Sequence, residues 1–284
     1  MRIANLSGRA VALVDNGAID LHRATSGRFG PDPQSLYERW DELRDWSVSG
    51  EPEPYKESDL GPPVPAPRQV FAIGINYRDH AAEADVDVDV DVSQRAPYPP
   101  TFTKFPSCLT GPHAEVCLPE GLVDWEVELV VVIGRRAHRV TVDDAWSHVA
   151  GLTVGQDLSE RLTQLSGPAP QQYCLGKSYP GFGPTGPAVV TVDELGDPDD
   201  LPINCEVNGE SMQDARTSEM IFRVPELIER LSSVSPLLPG DLIFTGTPAG
   251  IGGTRTPPQF LAPGDELVSR IAGIGALHTT FKGA

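Results

Sequence analysis

The stretch Val123 to Ile133, Val-Asp-Trp-Glu-Val-Glu-Leu-Val-Val-Val-Ile, constrains this chain more than any other. Its first half alternates apolar and acidic residues, and its second half is wholly apolar. Side chains leave a β-strand on alternate faces. The pattern therefore predicts a strand with Asp124, Glu126 and Glu128 on one face and Trp125, Val127 and Leu129 on the other. Neighbours on one face stand roughly 6.5 Å apart, twice the strand rise. Carboxylates at that spacing, beside so apolar a run, repel one another and lose hydration. A hard divalent cation would answer both problems, because Mg²⁺ and Ca²⁺ prefer carboxylate oxygen. A solvated acidic face on an amphipathic strand fits the same residues, and the stretch alone does not separate the two.

Composition narrows the class. The 284 residues suffice for one large core, or for a small domain and a large one. Glycine and proline, 28 of each and spread throughout, suit a turn-rich β protein. A net charge of −18 repels phosphate backbones and anionic lipid, so neither nucleic acid nor a membrane is an expected partner. An anionic substrate would then need a local positive centre. Cys108, Cys117, Cys174 and Cys205 are too scattered for a zinc site or disulfide framework. No apolar run is long enough to span a membrane, and the N-terminus lacks a basic-then-apolar leader. The expectation is a soluble, cytoplasmic protein with reduced thiols.

Residues 2 to 22 alternate in short runs, with Asp15-Asn16-Gly17 as a hairpin signal. Asp32-Pro33 reads as a helix start, and Leu36, Trp40 and Leu43 predict an amphipathic helix to about Trp46. Gly61 to Pro67 reads as a stiff linker, which divides the chain into a small N-terminal domain, 1–62, and a larger one, 63–284. Val70 to Ile75 is a predicted strand, and Asn76 a candidate cap for a short helix that carries His80 and Glu83 on one side. That spacing lets a carboxylate orient an imidazole as a general base, though a surface ion pair has the same pattern. Asp85 to Val92 is four Asp-Val pairs and reads as a low-complexity lid or loop. Thr141 to Val149 reads as a capped helix, and Gly151 to Asp157 as a strand whose terminal acid can reach a site as a third ligand. Gly176-Lys177-Ser178 lacks the upstream glycine of a phosphate loop. Pro239-Gly240-Asp241 and Pro263-Gly264-Asp265 are turns entering strands, and Thr245 to Gly250 is a tight turn.

Taken together, several of these pieces resemble the fumarylacetoacetate hydrolase family, including acylpyruvate hydrolases and 2-oxo acid hydratases and decarboxylases. They are Gly74-Ile75-Asn76-Tyr77-Arg78-Asp79-His80-Ala81-Ala82-Glu83, Phe102-Thr103-Lys104-Phe105-Pro106, and Asp124-Trp125-Glu126-Val127-Glu128-Leu129. Asp157 with Ser159, Arg161 and Gln164, then Gly176-Lys177-Ser178, Asn208-Gly209-Glu210, Pro239-Gly240-Asp241 and Thr245 to Gly250 complete the series. The resemblance implies an α+β, predominantly β fold, a mixed β-roll or sandwich with a small N-terminal domain, usually as a homodimer. It implies that Glu126, Glu128 and Asp157 hold Mg²⁺ or Mn²⁺, with Ca²⁺ able to replace them in crystals. It assigns His80 and Glu83 to water or proton handling, and Lys177, Arg161, Gln164 and Thr247 to the substrate pocket, Lys177 also as a charge neutraliser. Gln156 departs from the asparagine common before the metal-binding aspartate, and Pro180 and the Gly167-Pro168-Ala169-Pro170 loop depart near the substrate side.

The expected function is that of a divalent-metal-dependent hydrolase cleaving a carbon–carbon bond in a 2,4-dioxo acid, an acylpyruvate or a fumarylacetoacetate-like substrate. An α-keto acid can chelate a carboxylate-held cation, which supplies the positive centre the chain otherwise lacks. Oxaloacetate decarboxylation and hydration of a 2-oxo-4-enoate fit the same residues. A binding protein that keeps the metal and has lost the chemistry is the reading from another class.

Overall fold

The alternating N-terminal runs become β1 (Arg2–Leu6), β2 (Arg9–Val14) and β3 (Gly17–Asp20), with Asp15-Asn16 turning β2 into β3. The computed structural model describes residues 1–84, 97–169 and 171–283, so the Asp-Val run and the lid expected there lie outside the described residues. After α1 (Leu21–Ala24), the helix expected from Asp32 to Trp46 is divided. A 3-10 helix spans Gln34–Arg39 and α2 only Trp40–Arg44, because Arg39 leaves helical geometry at φ −121°. Leu36, Trp40 and Leu43 are nonetheless buried in one cluster. Periodicity located the buried face but not the hydrogen-bonding pattern behind it.

The short β4 (Leu60–Gly61) pairs with β1, and the proline-rich segment after it buries Val64 and offers the Pro63 carbonyl to the Tyr37 hydroxyl. β5 (Val70–Ile73) leads to α3 (Arg78–Glu83). Asn76 does not cap that helix. Tyr77 stands at the cap position, and the Asn76 amide faces inward to Phe222 and Thr245. β6 (Thr101–Thr103), β7 (Leu109–Thr110) and β8 (Glu115–Leu118) precede the acidic stretch, which forms β9 (Val123–Asp124) and β10 (Val127–Ile133). Thr141 to Val149 holds one 3-10 turn, Ala145–His148, instead of a full helix. The Thr141 hydroxyl bonds the Asp144 carboxylate and the Ser147 hydroxyl bonds the Asp144 carbonyl, local pairings that compete with helix.

β11 (Val149–Gln156) and β12 (Ser159–Glu160) follow, then α4 (Arg161–Gln164), α5 (Tyr173–Gly176) and β13 (Gly183–Val190). β14 (Pro202–Val207), β15 (Glu210–Arg216), α6 (Val224–Val234), β16 (Leu242–Phe244), β17 (Glu266–Ile271) and β18 (Gly275–Gly283) complete the chain. An 11-stranded sheet runs β3-β2-β1-β13-β11-β10-β16-β5-β6, with β4 and β7 off that path, and a five-stranded sheet runs β15-β14-β17-β18-β8. Parallel pairs β5–β16, β7–β13 and β8–β18 stand among antiparallel ones. The fold is α+β and predominantly β, built of mixed, open sheets and not of a closed barrel.

β10 lies inside the large sheet, between β11 and β16, and all seven of its residues are buried. Val127, Leu129, Val131 and Ile133 pack into the core shared with the five-stranded sheet, alongside Ile203, Cys205, Leu267 and Leu277. Val130 and Val132 point the other way, to the cluster of Leu36, Trp40 and Leu43. By alternation Glu126 and Glu128 belong to that second face, at its end.

Candidate active site

The acidic stretch breaks where it matters. Trp125 and Glu126 fall between β9 and β10, so Asp124 does not share a face with the two glutamates, as the alternation predicts. Its carboxylate turns to the Gly252 and Gly253 N–H groups and to Arg161, 2.7 Å from Nη2. Gln156 clips the break: its Oε1 accepts the Glu126 N–H at 2.9 Å, while Nε2 donates to the Ser269 hydroxyl. The Asp157 N–H in turn donates to the Glu126 carbonyl. These bonds set the ends of β10 and β11 side by side. Glu126, Glu128 and Asp157 are buried there, with one carboxylate oxygen of each within 4.8 Å of the others.

Two lysines enter the cluster. Lys177 Nζ donates to Glu126 Oε2 at 2.7 Å, Asp157 Oδ2 at 2.8 Å and the Ser159 hydroxyl at 2.8 Å. Lys104 Nζ donates to Asp157 Oδ1 at 2.7 Å and to the Lys177 carbonyl. Arg161 adds a contact of 2.8 Å to Glu126 Oε1. Gly176 makes this approach feasible, since a Cβ there would lie 2.7 Å from the Gln164 backbone. Without a side chain, α5 packs directly on α4 and delivers Lys177.

Electrostatics divides the three acids. Burial works to raise the Glu126 carboxyl, but Lys177 and Arg161 outweigh it and hold the group at about 2. Burial, then repulsion from Asp157 and Glu126, pushes Glu128 well above the usual carboxylate range. Among the described residues the hydrogen bond it is given is the Gly246 N–H at 2.8 Å, and Lys177 attracts it without forming an ion pair with it. Gly246 sits at φ +97°, a conformation that favours glycine, and so turns its N–H inward. Three buried oxygen donors, one of them in no ion pair among the described residues, fit a hard divalent cation such as Mn²⁺ or Mg²⁺.

His80 Nδ1 lies 2.8 Å from Glu83 Oε1, and Glu83 Oε2 accepts the Gly250 N–H at 3.0 Å. Burial works against the Glu83 charge, but His80 and Gly250 hold its carboxyl below the ordinary value. An ionised carboxylate can only accept, so Nδ1 carries the proton and Nε2 is left as the base. His80, Glu126, Arg161, Gln164, Lys177 and Thr247 all line one cavity of about 140 Å³. Phe102 and Tyr173, ring centroids 5.7 Å apart, form part of its apolar wall. Thr247 gives its hydroxyl proton to the Val127 carbonyl and accepts from Gln213, so toward a ligand it can act only as an acceptor. Arg161 is already bonded to Asp124 and, through Nη1, to Gln164 Oε1.

A family model for the C-terminal domain of fumarylacetoacetate hydrolase matches residues 69–282. The chain belongs to the fumarylacetoacetate hydrolase family. It is 44% identical over 229 residues to the mitochondrial oxaloacetate tautomerase FAHD2A of Bos taurus, covering 79% of this chain and 69% of that one. A solved candidate HpcE protein from Mycobacterium smegmatis matches with a TM-score of 0.94 at 50% identity over 100% of both chains. Maleylpyruvate hydrolase from Sphingobium sp. SYK-6, solved with manganese(II) and pyruvate, matches at 26% identity and a TM-score of 0.79, again over 100% of both. This family member thus has enzymes for relatives, and one of its structural neighbours binds Mn²⁺. Among the described residues no helix is long and apolar enough to cross a membrane.

Sequence reasoning assigned no role to Lys104 or Gln213, and it placed Asp124 only by alternation, on the face of the two glutamates. The acid that Lys104 meets, Asp157, is distant in the chain, so nothing local marks the lysine as buried. Gln213 carries no local signal at all.

Proposed function

We propose that this protein is a divalent-cation-dependent enzyme that moves a proton at the carbon beside the carbonyl of a small 2-oxo acid, with oxaloacetate the leading substrate. The observation that carries the reading is the His80–Glu83 pair, bonded at 2.8 Å and opening on the cavity that Glu126 and Lys177 also line. His80 Nε2 is the atom that would take the proton and return it, while Glu83 keeps the ring oriented and stabilises its charged form. Glu126, Glu128 and Asp157 would hold Mg²⁺ or Mn²⁺. When bound, the cation would supply a Lewis acid that polarises the carbonyl. Lys177 keeps positive charge beside that position, since Asp157 and Glu126 outweigh its burial and raise its affinity for a proton. Arg161, Gln164 and Thr247 would receive the substrate's polar groups. The similarity to an oxaloacetate tautomerase supports this choice of reaction.

Hydrolytic cleavage of a 2,4-dioxo acid is the second reading, favoured by the likeness to a maleylpyruvate hydrolase holding Mn²⁺ and pyruvate. Here the same His80 would activate water at the distal carbonyl. Decarboxylation of oxaloacetate needs no activated water and depends least on His80. Four free cysteines suit a reducing, cytoplasmic location, and a homodimer is the assembly proposed, to be checked by sedimentation velocity.

The test follows enol-to-keto conversion of oxaloacetate, CO₂ release from oxaloacetate and cleavage of acetylpyruvate, each with Mg²⁺ or Mn²⁺ and then with EDTA. Metal-dependent tautomerisation is expected. His80→Ala should lower its kcat by about 10²-fold or more, roughly 2.7 kcal/mol of barrier, with cation affinity intact. Acetylpyruvate cleavage without tautomerisation would promote the hydrolase, and CO₂ release alone the decarboxylase. Inertness in all three assays would leave a binding protein.

A further inference from the structure

Lys104 is fully buried, further from water than Lys177, yet its charge has no part in the chemistry above. A buried ammonium is unfavourable unless something uses the charge. Its contacts are specific. Nζ holds Asp157 by Oδ1, leaving Oδ2 on the side of Lys177 and Glu126, and it also binds the Lys177 carbonyl. One lysine thus fixes another twice, through a shared carboxylate and through the backbone.

We propose that Lys104 is a positioning residue that selects for doubly anionic 2-oxo acids by setting the charge of the cation-loaded site. Within the contiguous cluster of ion pairs, with Glu128 ionised once a cation is held and the Glu83 carboxylate left to His80 outside it, the carboxylates of Asp124, Glu126, Glu128 and Asp157 outnumber Lys104, Arg161 and Lys177 by one charge. A divalent cation converts that deficit into one net positive charge, which favours a dianion. Without Lys104 the loaded site would be neutral. The metal-free site would be more negative still and would attract the cation more strongly. Lys104 therefore trades cation affinity for substrate affinity, and the inference rests on the metal-and-2-oxo-acid reading above.

The opposite signs give the test. Mn²⁺ is titrated calorimetrically into wild type, Lys104→Gln, Lys104→Met and Lys104→Arg, and oxalate, an unreactive dianion, into each Mn²⁺-saturated protein. Thermal unfolding checks that each variant is folded. The glutamine variant, which keeps a donor for Asp157, should bind Mn²⁺ as tightly as wild type or several-fold tighter, and oxalate about tenfold more weakly. The methionine variant repeats the charge loss with a different shape, should glutamine not fold. The arginine variant should restore oxalate affinity to within about threefold of wild type. Parallel loss of Mn²⁺ and oxalate affinity in both neutral variants would show a structural strut and overturn the inference, as would two unchanged affinities. A wild-type protein that binds no Mn²⁺ would overturn the metal reading and this inference with it. A wild type that binds both ligands, with variants that fail the sign test, overturns this inference alone.

Discussion

At the scale of the residue, Glu128 is the group the apoprotein accommodates worst. It is 1% exposed, faces two other carboxylates and, among the described residues, is relieved only by the Gly246 N–H and the charge of Lys177. Replacing it with glutamine removes that repulsion together with one ligand. Glu128→Gln should therefore raise the thermal midpoint of the metal-free protein by roughly 2–4 °C, for about 1 kcal/mol gained. It should also weaken Mn²⁺ binding by about 10²-fold, read by calorimetric titration. A lower midpoint with unchanged Mn²⁺ affinity would remove Glu128 from the ligand set. Glu126 and Glu128 were legible as a pair because alternation is local and survives in the folded strand. Asp124 carries the same alternation and goes elsewhere, since nothing in its neighbourhood announces the break at Trp125. Lys104 could not be placed because its partner lies 53 residues away.

At the scale of the element, position depends on residues that look incidental. Asn76, expected as a helix cap, instead donates to the carbonyls of Phe222 and Thr245 and accepts the Phe222 N–H. It ties the entry of α3 to the end of β16 and to the segment before α6. Asn76→Ala would leave those buried groups without their side-chain partner, at a cost of about 3 kcal/mol in urea unfolding. Because α3 carries His80 and Glu83, turnover should fall as well. A variant as stable and active as wild type would show the three bonds to be dispensable. Gly176→Ala tests the α4–α5 contact. The added methyl meets the Gln164 backbone at 2.7 Å, so overpacking should cost about 1–3 kcal/mol and displace Lys177. Activity should drop at least tenfold in steady-state assays, about 1.4 kcal/mol of barrier. Short helices such as α4 and α5 were legible only as segments, since four residues hold no full period from which to read a face.

At the scale of the whole molecule, β1 to β3, β5, β10, β11, β16 and β17 were visible as runs, but their pairing was not. β1 lies against β13, Arg2 opposite Val190, and no local pattern in either encodes the other. The division into 1–62 and 63–284 stays a proposal about chain organisation, and the pairing gives it a consequence. A fragment of residues 63–284 would lose β1 from the edge of β13 and the cover of Leu36, Trp40 and Leu43 from Val130, Val132 and Phe244. It should aggregate on purification, which light scattering would detect, because an unpaired strand edge beside bare apolar surface recruits other chains. A monodisperse, folded fragment would show that the first unit is an accessory. The division of β10 between two cores reaches further. Its register against β11 runs without interruption from Val127–Gln156 to Val132–Gly151, and its odd and even residues serve two different cores. Removing or adding one residue between Val123 and Ile133 would exchange the faces, sending carboxylates into dry packing and valines to the acidic cluster. Substitutions in this stretch can be graded by size and charge, but a change of length has no mild form. The number of residues here is itself part of the candidate site.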